Sequence, residues 1–303
     1  MGDLIGFALL NLALVVGLAP LAEGVVRRVR AIVHSRKGPP LIQPYLDLAK
    51  LLVKEDLAPT AAGLVWRMAP ALCLGALLMA ALFIPLGPPP PLASSGDVIA
   101  FIYFIALSGT AIMLGAFASG NPYAYVGASR EMMMMLSVEP VMVIALVTAA
   151  VKAHSLRFPD LVGSYAAAGP SVSMVVAGIA FLLALQAQVG KLPFDIAEAE
   201  QEIMDGPFIE RSGPGLALFK LASYVRVLVF GSVLVQVFAP WPRLGLWPAD
   251  LALNFAKVGV LVLLIGLVNA VNPRLRIDQS MAYFSRVVVF VAVAGLVFAS
   301  VGA

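Results

Sequence analysis

The stretch PFDIAEAEQEIMDGPFIERSGPGLALFKLASY, residues 193–224, sets six carboxylates (Asp195, Glu198, Glu200, Glu202, Asp205 and Glu210) into sixteen residues. Only Lys191 and Arg211 stand close enough in sequence to balance them. Long apolar runs flank the stretch, at 171–191 and 215–238, and each approaches the ~20 residues that a helix needs to cross a bilayer. An acidic run between soluble elements is usually a solvated surface. Between two membrane spans it reads differently, because ionisable groups near lipid are costly and mark ion paths or docking surfaces.

The composition of the rest agrees. The chain is 61% hydrophobic and only 12% charged, against about 25% charged in soluble domains. The class is therefore an all-α integral membrane protein. Eight spans are predicted, at 3–26, 69–86, 98–119, 129–152, 171–191, 215–238, 250–271 and 282–301, within a single polytopic membrane domain covering residues 1–303. GPPPPL at 87–92, Gly120-Asn121-Pro122, Gly169-Pro170, Pro240-Trp241-Pro242 and Asn272-Pro273 break the chain between spans. The first span has no basic residues before it and no small-residue cleavage pattern after it, so it reads as a retained helix. The chain shows no inverted repeat of the kind found in secondary transporters.

Lysine and arginine placement gives the orientation. Arg27, Arg28, Arg30, Arg36, Lys37, Lys50 and Lys54 follow the first span, and Arg130, Lys191, Arg211, Arg274 and Arg276 mark the other odd-numbered connections. The even-numbered connections hold only Lys152, Arg157 and Arg243. The loops at about 27–68, 120–130, 192–214 and 272–281 are thus expected in the cytoplasm, with both termini outside. In the first of them Pro44 can open a helix with Tyr45, Leu48 and Leu52 on one face and Asp47, Lys50 and Lys54 on another. Such a helix lies in the membrane interface or packs on a soluble partner.

Glu131 and Glu139 fall in the fourth span, about 12 Å apart along the axis, with four methionines, Met132 to Met135, between them. Glu139 is either a proton relay or a neutral acid bonded to a neighbouring helix or to Arg130. In the acidic loop, Pro193 and Pro207 bracket an expected short helix. Asp195 would cap it, Glu198 would occupy the third position, and Glu198, Glu202 and Asp205 would share a face. Like charges at that spacing repel, so they call for a basic partner or for bound protons; Glu200 points elsewhere. Glu23 reads as a local pair with Arg27. Arg226 and Lys257 lie deep enough to need acids from other helices. One cysteine, Cys73, and two distant histidines, His34 and His154, make no redox-centre motif. Nucleic-acid binding has no basic-aromatic signature here.

Three blocks resemble the subunit-1, or H-type, membrane protein of respiratory complex I. They are SRKGPPLIQPYLDLAKLLVKED at 35–56, Arg130 followed by SVE ending at Glu139, and PFDIAEAEQEI at 193–203. The resemblance is closer to the homologous anchor of energy-converting NiFe hydrogenases and formate hydrogenlyases. Gly38-Pro39-Pro40 runs almost directly into Leu41-Ile42-Gln43-Pro44, Ser223-Tyr224 stands where quinone-reducing relatives carry a glutamate before the tyrosine, and the 205–213 segment looks like the hydrogenase branch.

The resemblance implies a subunit with no catalytic or redox centre of its own, in the plasma (inner) membrane of a prokaryote. The NiFe centre and iron–sulfur clusters belong to a hydrogenase-like large subunit and an iron–sulfur small subunit, and antiporter-like subunits lie beside it in the membrane. Arg36, Lys37, Asp47, Lys50, Arg130 and Glu210 are then expected to dock the soluble arm. Glu131, Glu139, Asp195, Glu198, Glu200, Glu202 and Asp205 are expected to couple it to movement of H⁺ or Na⁺. A quinone-cavity subunit of an NADH:quinone oxidoreductase is the alternative, and a stand-alone secondary transporter a second one.

Overall fold

A computed structural model describes residues 2–60, 63–86, 90–92 and 96–302. Among them there is no strand. Helices long and apolar enough to span are α1 (Gly2–Val33), α3 (Leu64–Ala81), α4 (Asp97–Phe117), α5 (Pro122–Ala153), α9 (Gly213–Phe238) and α10 (Trp247–Val271), together with the last helical run, 277–301. That run comprises α11 (Ile277–Tyr283), a π-helical turn at Phe284–Val288 and α12 (Val289–Val301). The eighth expected span is the 17-residue apolar helix α7 (Val172–Gln188), short of the usual spanning length. The Gly-Pro break at 87–92 falls partly outside the described residues.

Several boundaries differ from expectation. α1 continues through its arginines to Val33, and α3 starts and stops five residues earlier than expected. α5 begins at Pro122 rather than 129, because Asn121 accepts a hydrogen bond from the Tyr123 N–H (2.8 Å) and Pro122 supplies the first helical position. The expected 120–130 loop is therefore mostly helix, and Arg130 stands on a rigid element. α6 (Phe158–Ala168) has no counterpart among the expected spans.

α9 is the hub: 78% of its apolar window is buried, against 28% for α1, α10 and the last run. It touches α1, α3, α7 and α10, while α5 packs against α4, α7 and α12. One large apolar cluster runs through these helices, with Phe101, Phe181, Phe230 and Phe284 fully buried.

The helix expected in the first loop exists as α2 (Gln43–Val53), but its faces are rotated. Pro44 is buried, Asp47 and Leu48 turn inward, and Leu46, Leu52 and Val53 are exposed. Asp47 is therefore held by Arg27 (2.8 Å) and Gln43 (3.1 Å) instead of presented outward. The basic connections converge on one face. Asn121 Nδ2 donates to Glu210 (2.6 Å), the Leu57 N–H donates to Ser212 Oγ (2.8 Å), and Arg130 and Arg274 both pair with Glu202.

Candidate functional site

The acidic loop does not form the expected helix. After α7 the chain is irregular to Ala199, then makes a single four-residue turn, α8 (Glu200–Ile203), and a 3₁₀ turn at Gly206–Phe208. Ala199, Met204 and Asp205 have positive φ (28°, 51° and 77°), which no continuing right-handed helix allows. Asp195 is no cap, and Glu198, Glu202 and Asp205 share no helical face.

Tertiary anchors set the conformation instead. Gln186 Nε2 donates to the Leu192 carbonyl (2.7 Å), the Leu192 N–H to Asn269 Oδ1 (3.1 Å), and the Leu275 N–H to the Pro193 carbonyl (2.9 Å). Phe194 packs against Phe284 in the π-helical turn, with ring centroids 5.0 Å apart. Pro207 lies against Gly127 of α5 so closely that no side chain fits between them.

Beneath this loop, at the basic face, is a cavity of ≈ 750 Å³. Glu23, Arg27 and Arg30 line it from α1, Lys220 and Tyr224 from α9, and Arg274 and Arg276 from the linker after α10. Lys191, Asp195, Glu198 and Glu202 close it. Glu23 is 6% exposed and pairs with both Arg27 (3.2 Å) and Lys191 (2.9 Å). Arg27, four residues on, is the local partner that the sequence shows; the Lys191 contact spans the fold. Arg27 Nη1 also donates to Asp47, and Arg27 Nη2 to the Tyr224 hydroxyl (3.1 Å), tying α1, α2 and α9 together. Burial opposes ionisation of Asp47, but the bonds from Arg27 and Gln43 outweigh it and hold its carboxyl below the ordinary value.

Glu198 lines this cavity and a second, smaller one (≈ 40 Å³) that continues to Glu131 and Arg226. Burial pushes the Glu198 carboxyl up to about 7 and neighbouring Asp195 adds to the rise, while Lys191 and Lys220 oppose it. Such a group exchanges its proton near neutral pH. Between its ordinary value of 4.5 and about 7 the folded protein binds more protons than the unfolded chain, so stability falls as pH rises through that window. Thermal melts of the purified protein between pH 4.5 and 7.5 should show this slope, and Glu198→Gln should flatten it; an unchanged slope would remove Glu198 as the titrating group.

Glu202 behaves in the opposite way. The Arg130 guanidinium bonds it at 2.8 Å and Arg274 also pairs with it, which holds its carboxyl below the usual range. It ties α5, α8 and the α10–α11 linker together as an anion. Asp205 lies at the left-handed turn before the 3₁₀ helix, with Oδ1 buried and unbonded among the described residues. Glu200 opens α8; its side chain lies outside the described residues. Arg211, expected to balance the acids, instead points into the bundle. It stacks on Trp66 (4.0 Å) and Phe219 (5.1 Å) and donates to the Trp66 carbonyl. Burial lowers it to about 10, partly offset by Asp56, which leaves it a cation at neutral pH.

Deeper in the bundle, Arg226 pairs with Glu131 (3.7 Å) and donates to the Gln188 carbonyl (3.3 Å), so the acid that it needed comes from α5. Lys257 instead donates to the Ala239 carbonyl (3.0 Å) and makes no ion pair among the described residues. Glu139, two turns beyond Glu131 on the same face of α5, sits in an apolar pocket walled by Phe101, Ile105, Phe181 and Phe230. Its Oε1 is buried without a hydrogen-bond partner among the described residues. It bonds neither a neighbouring helix nor Arg130, which is committed to Glu202 and the Ile196 carbonyl. Met135 and Val138 of the same helix line the Glu131 cavity. Of the expected docking residues, Arg36, Lys37 and Lys50 are exposed, Arg130 and Asp47 are in ion pairs, and Glu210 bonds Asn121. No group of three His, Cys, Asp or Glu among the described residues could hold a metal ion.

A family model described as NADH dehydrogenase matches residues 5–300. The chain belongs to that family. Its curated relatives include hydrogenase-4 component C of Escherichia coli K12, 38% identical over 80% of this chain and 78% of the relative. Formate hydrogenlyase subunit 4 of the same organism is 34% identical over 90% and 91%. An H-type subunit of NADH-quinone oxidoreductase from Geobacter metallireducens is 32% identical over 84% and 82%. Among solved structures, a chain of the membrane-bound sulfane sulfur reductase, an archaeal respiratory membrane complex, superposes with a TM-score of 0.89 at 28% identity, covering 98% of this chain and 99% of that one. The spans, the charged cavity and the loop that closes it thus belong to a multi-pass membrane subunit of this family.

Proposed function

We propose that this chain is the membrane-anchoring and ion-coupling subunit of a complex-I-like membrane-bound hydrogenase or formate hydrogenlyase. The observation that carries the reading is the position of Glu198, which lines both the large charged cavity and the smaller one reaching the Glu131–Arg226 pair. A carboxyl near 7 at that junction can take a proton from one side and deliver it to the other. The identities to the hydrogenase-4 and formate hydrogenlyase chains favour this branch. The partners are a NiFe-hydrogenase-like large subunit, an iron–sulfur small subunit and antiporter-like membrane subunits, and the redox groups reside in the first two.

The basic face is cytoplasmic on this reading, with both termini outside, in a prokaryotic plasma membrane. Redox-linked charge movement above the cavity changes the protonation of Glu198, and the proton passes by Glu131 to Glu139 and on to neighbouring subunits. Co-purification from native membranes, with identification of the attached chains, tests the assembly; a chain that purifies alone, or with a quinone-binding arm, ends this reading. A quinone cavity is the second reading, favoured by the ≈ 750 Å³ volume and by the NADH-quinone oxidoreductase relative. Bound quinone in the purified complex would establish it.

Docking gives a separate prediction. Reversing both Arg36 and Lys37 to glutamate should leave the spans inserted and strip the soluble arm from membranes at moderate salt, because both side chains are exposed and make no ion pair among the described residues. Asp47→Ala should act differently, loosening α2 from Arg27. Sedimentation of the hydrogenase subunits with membranes reads both; full retention in the double reversal would show that this loop carries no docking charge.

A further inference from the structure

At the end of the bundle away from the basic loops, a pocket of ≈ 150 Å³ opens between the end of α3, the end of α9 and the first half of α10. Its charges do not balance. Arg243 makes no hydrogen bond or ion pair among the described residues, and Lys257 has only the Ala239 carbonyl for its three donors. Asp250, the single acid lining the pocket, already accepts a hydrogen bond from the Leu244 N–H (2.8 Å). Two cations against one acid leave a single positive charge.

Asn254 also lines the pocket. It is 2% exposed, its Nδ2 reaches Ser232 Oγ only at 3.5 Å, and its Oδ1 has no donor among the described residues. A buried carbonyl-type oxygen without a donor is costly, and lysine and arginine at the pocket leave it unmet. The ligand that answers both deficits carries one negative charge and a hydroxyl.

We propose that this pocket binds the headgroup of an anionic glycerophospholipid, with a phosphodiester on Arg243 and Lys257 and a headgroup hydroxyl on Asn254 Oδ1. Guanidinium and ammonium groups bond phosphate oxygens strongly. A phosphatidylglycerol-type headgroup supplies the single charge and the donor. A phosphocholine headgroup offers no donor, and its quaternary ammonium meets two cations. The rim suits a membrane boundary: Leu244, Leu246 and Trp247 are all exposed beside the pocket, an apolar and aromatic surface of the sort found where headgroups meet acyl chains. Lys257, about 15 Å along α10 from Trp247, reaches back toward the helix ends, as long cations do near an interface.

The test uses the intact complex purified from native membranes. Lipid co-purifying after exhaustive detergent washing is quantified by mass spectrometry. Rebinding is then measured with micelles doped with phosphatidylglycerol, phosphatidic acid or phosphatidylcholine, and with soluble glycerol phosphate. Wild type should retain one more phosphatidylglycerol than Arg243→Gln, a substitution at an exposed side chain that leaves folding intact. Each cation removed, Arg243 or Lys257, should weaken rebinding about five-fold, the equivalent of the ~1 kcal/mol that a basic residue contributes at an anionic surface. Asn254→Leu should keep phosphatidic acid binding and lose the preference for phosphatidylglycerol. Equal retention by wild type and Arg243→Gln, or equal binding of phosphatidylcholine, would leave the pocket to water and overturn the proposal. Binding of glycerol phosphate as tightly as the lipid would make the occupant a soluble anion and overturn the lipid assignment.

Discussion

Glu139→Gln should leave the complex assembled and turning over while ion translocation coupled to that turnover collapses by about a hundred-fold or more, the lower range of what a positioned proton carrier contributes. Glutamine keeps the volume and the hydrogen-bonding carbonyl of the side chain but cannot ionise. A carboxyl serving only as a neutral structural group would tolerate the change. The geometry gives it no such duty: its buried Oε1 bonds nothing among the described residues, and its walls are phenylalanine and isoleucine.

Placing an ionisable group in such a pocket costs stability, and with no bond to offset the cost, function is the remaining reason for a glutamate there. Glu198→Gln should give a similar loss, and the double variant should be no worse than either single, as members of one route behave. Glu202→Gln should instead cost little translocation, because that side chain is a half-exposed anion held by two arginines. Proton uptake into vesicles alongside hydrogen chemistry reads all four variants. Normal coupled uptake by assembled Glu139→Gln would end its assignment as a relay.

The spans were legible in the sequence because burial in lipid demands long apolar runs, and seven of the eight appear as spanning helices. Glu131, Glu139 and Arg226 were legible for a related reason: a charge inside an apolar helix stands out. Their partners were not, since the 3.7 Å pair between Glu131 and Arg226 joins helices whose facing angles no local pattern records. The acidic loop misled in a specific way. Its spacing fits a capped helix, yet left-handed residues at 199, 204 and 205 break it, and the energy that compensates them comes from Phe194, Pro193 and Pro207 meeting distant elements. Glu23 and Arg211 show the same limit. Glu23 keeps its helical neighbour Arg27 but gains Lys191 across the fold, while Arg211 leaves its sequence neighbours for Trp66. α6 left a signal that was readable: Pro159 in the first turn and Asp160 beside it open a helix in the usual manner.

Gly127→Ala should damage the assembly. A Cβ at this position would stand 2.6 Å from Pro207 Cδ, 2.7 Å from the Pro207 nitrogen and 2.8 Å from the Gly206 carbonyl carbon. Two of these are backbone atoms, and the third belongs to a ring that cannot swing away. Either α5 or the 206–208 turn must move. The turn closes the loop that carries Asp195 and Glu198, and α5 carries Glu131 one turn further along, so the displacement opens the junction between the two cavities.

Overpacking of this kind costs roughly 1–3 kcal/mol, against a gain of about 0.5–1 kcal/mol from alanine's better helix propensity. The comparison variant is Gly163→Ala in α6, where a Cβ meets nothing within 4 Å and only the propensity gain remains. Thermal melts of the purified complex should therefore shift down for Gly127→Ala and stay level or rise for Gly163→Ala. Coupled translocation should fall in the first variant even at temperatures where it remains folded, because the loop is displaced before the bundle melts. Equal melting and equal coupling in the two variants would mean that the turn at Pro207 does not rest on α5 as described.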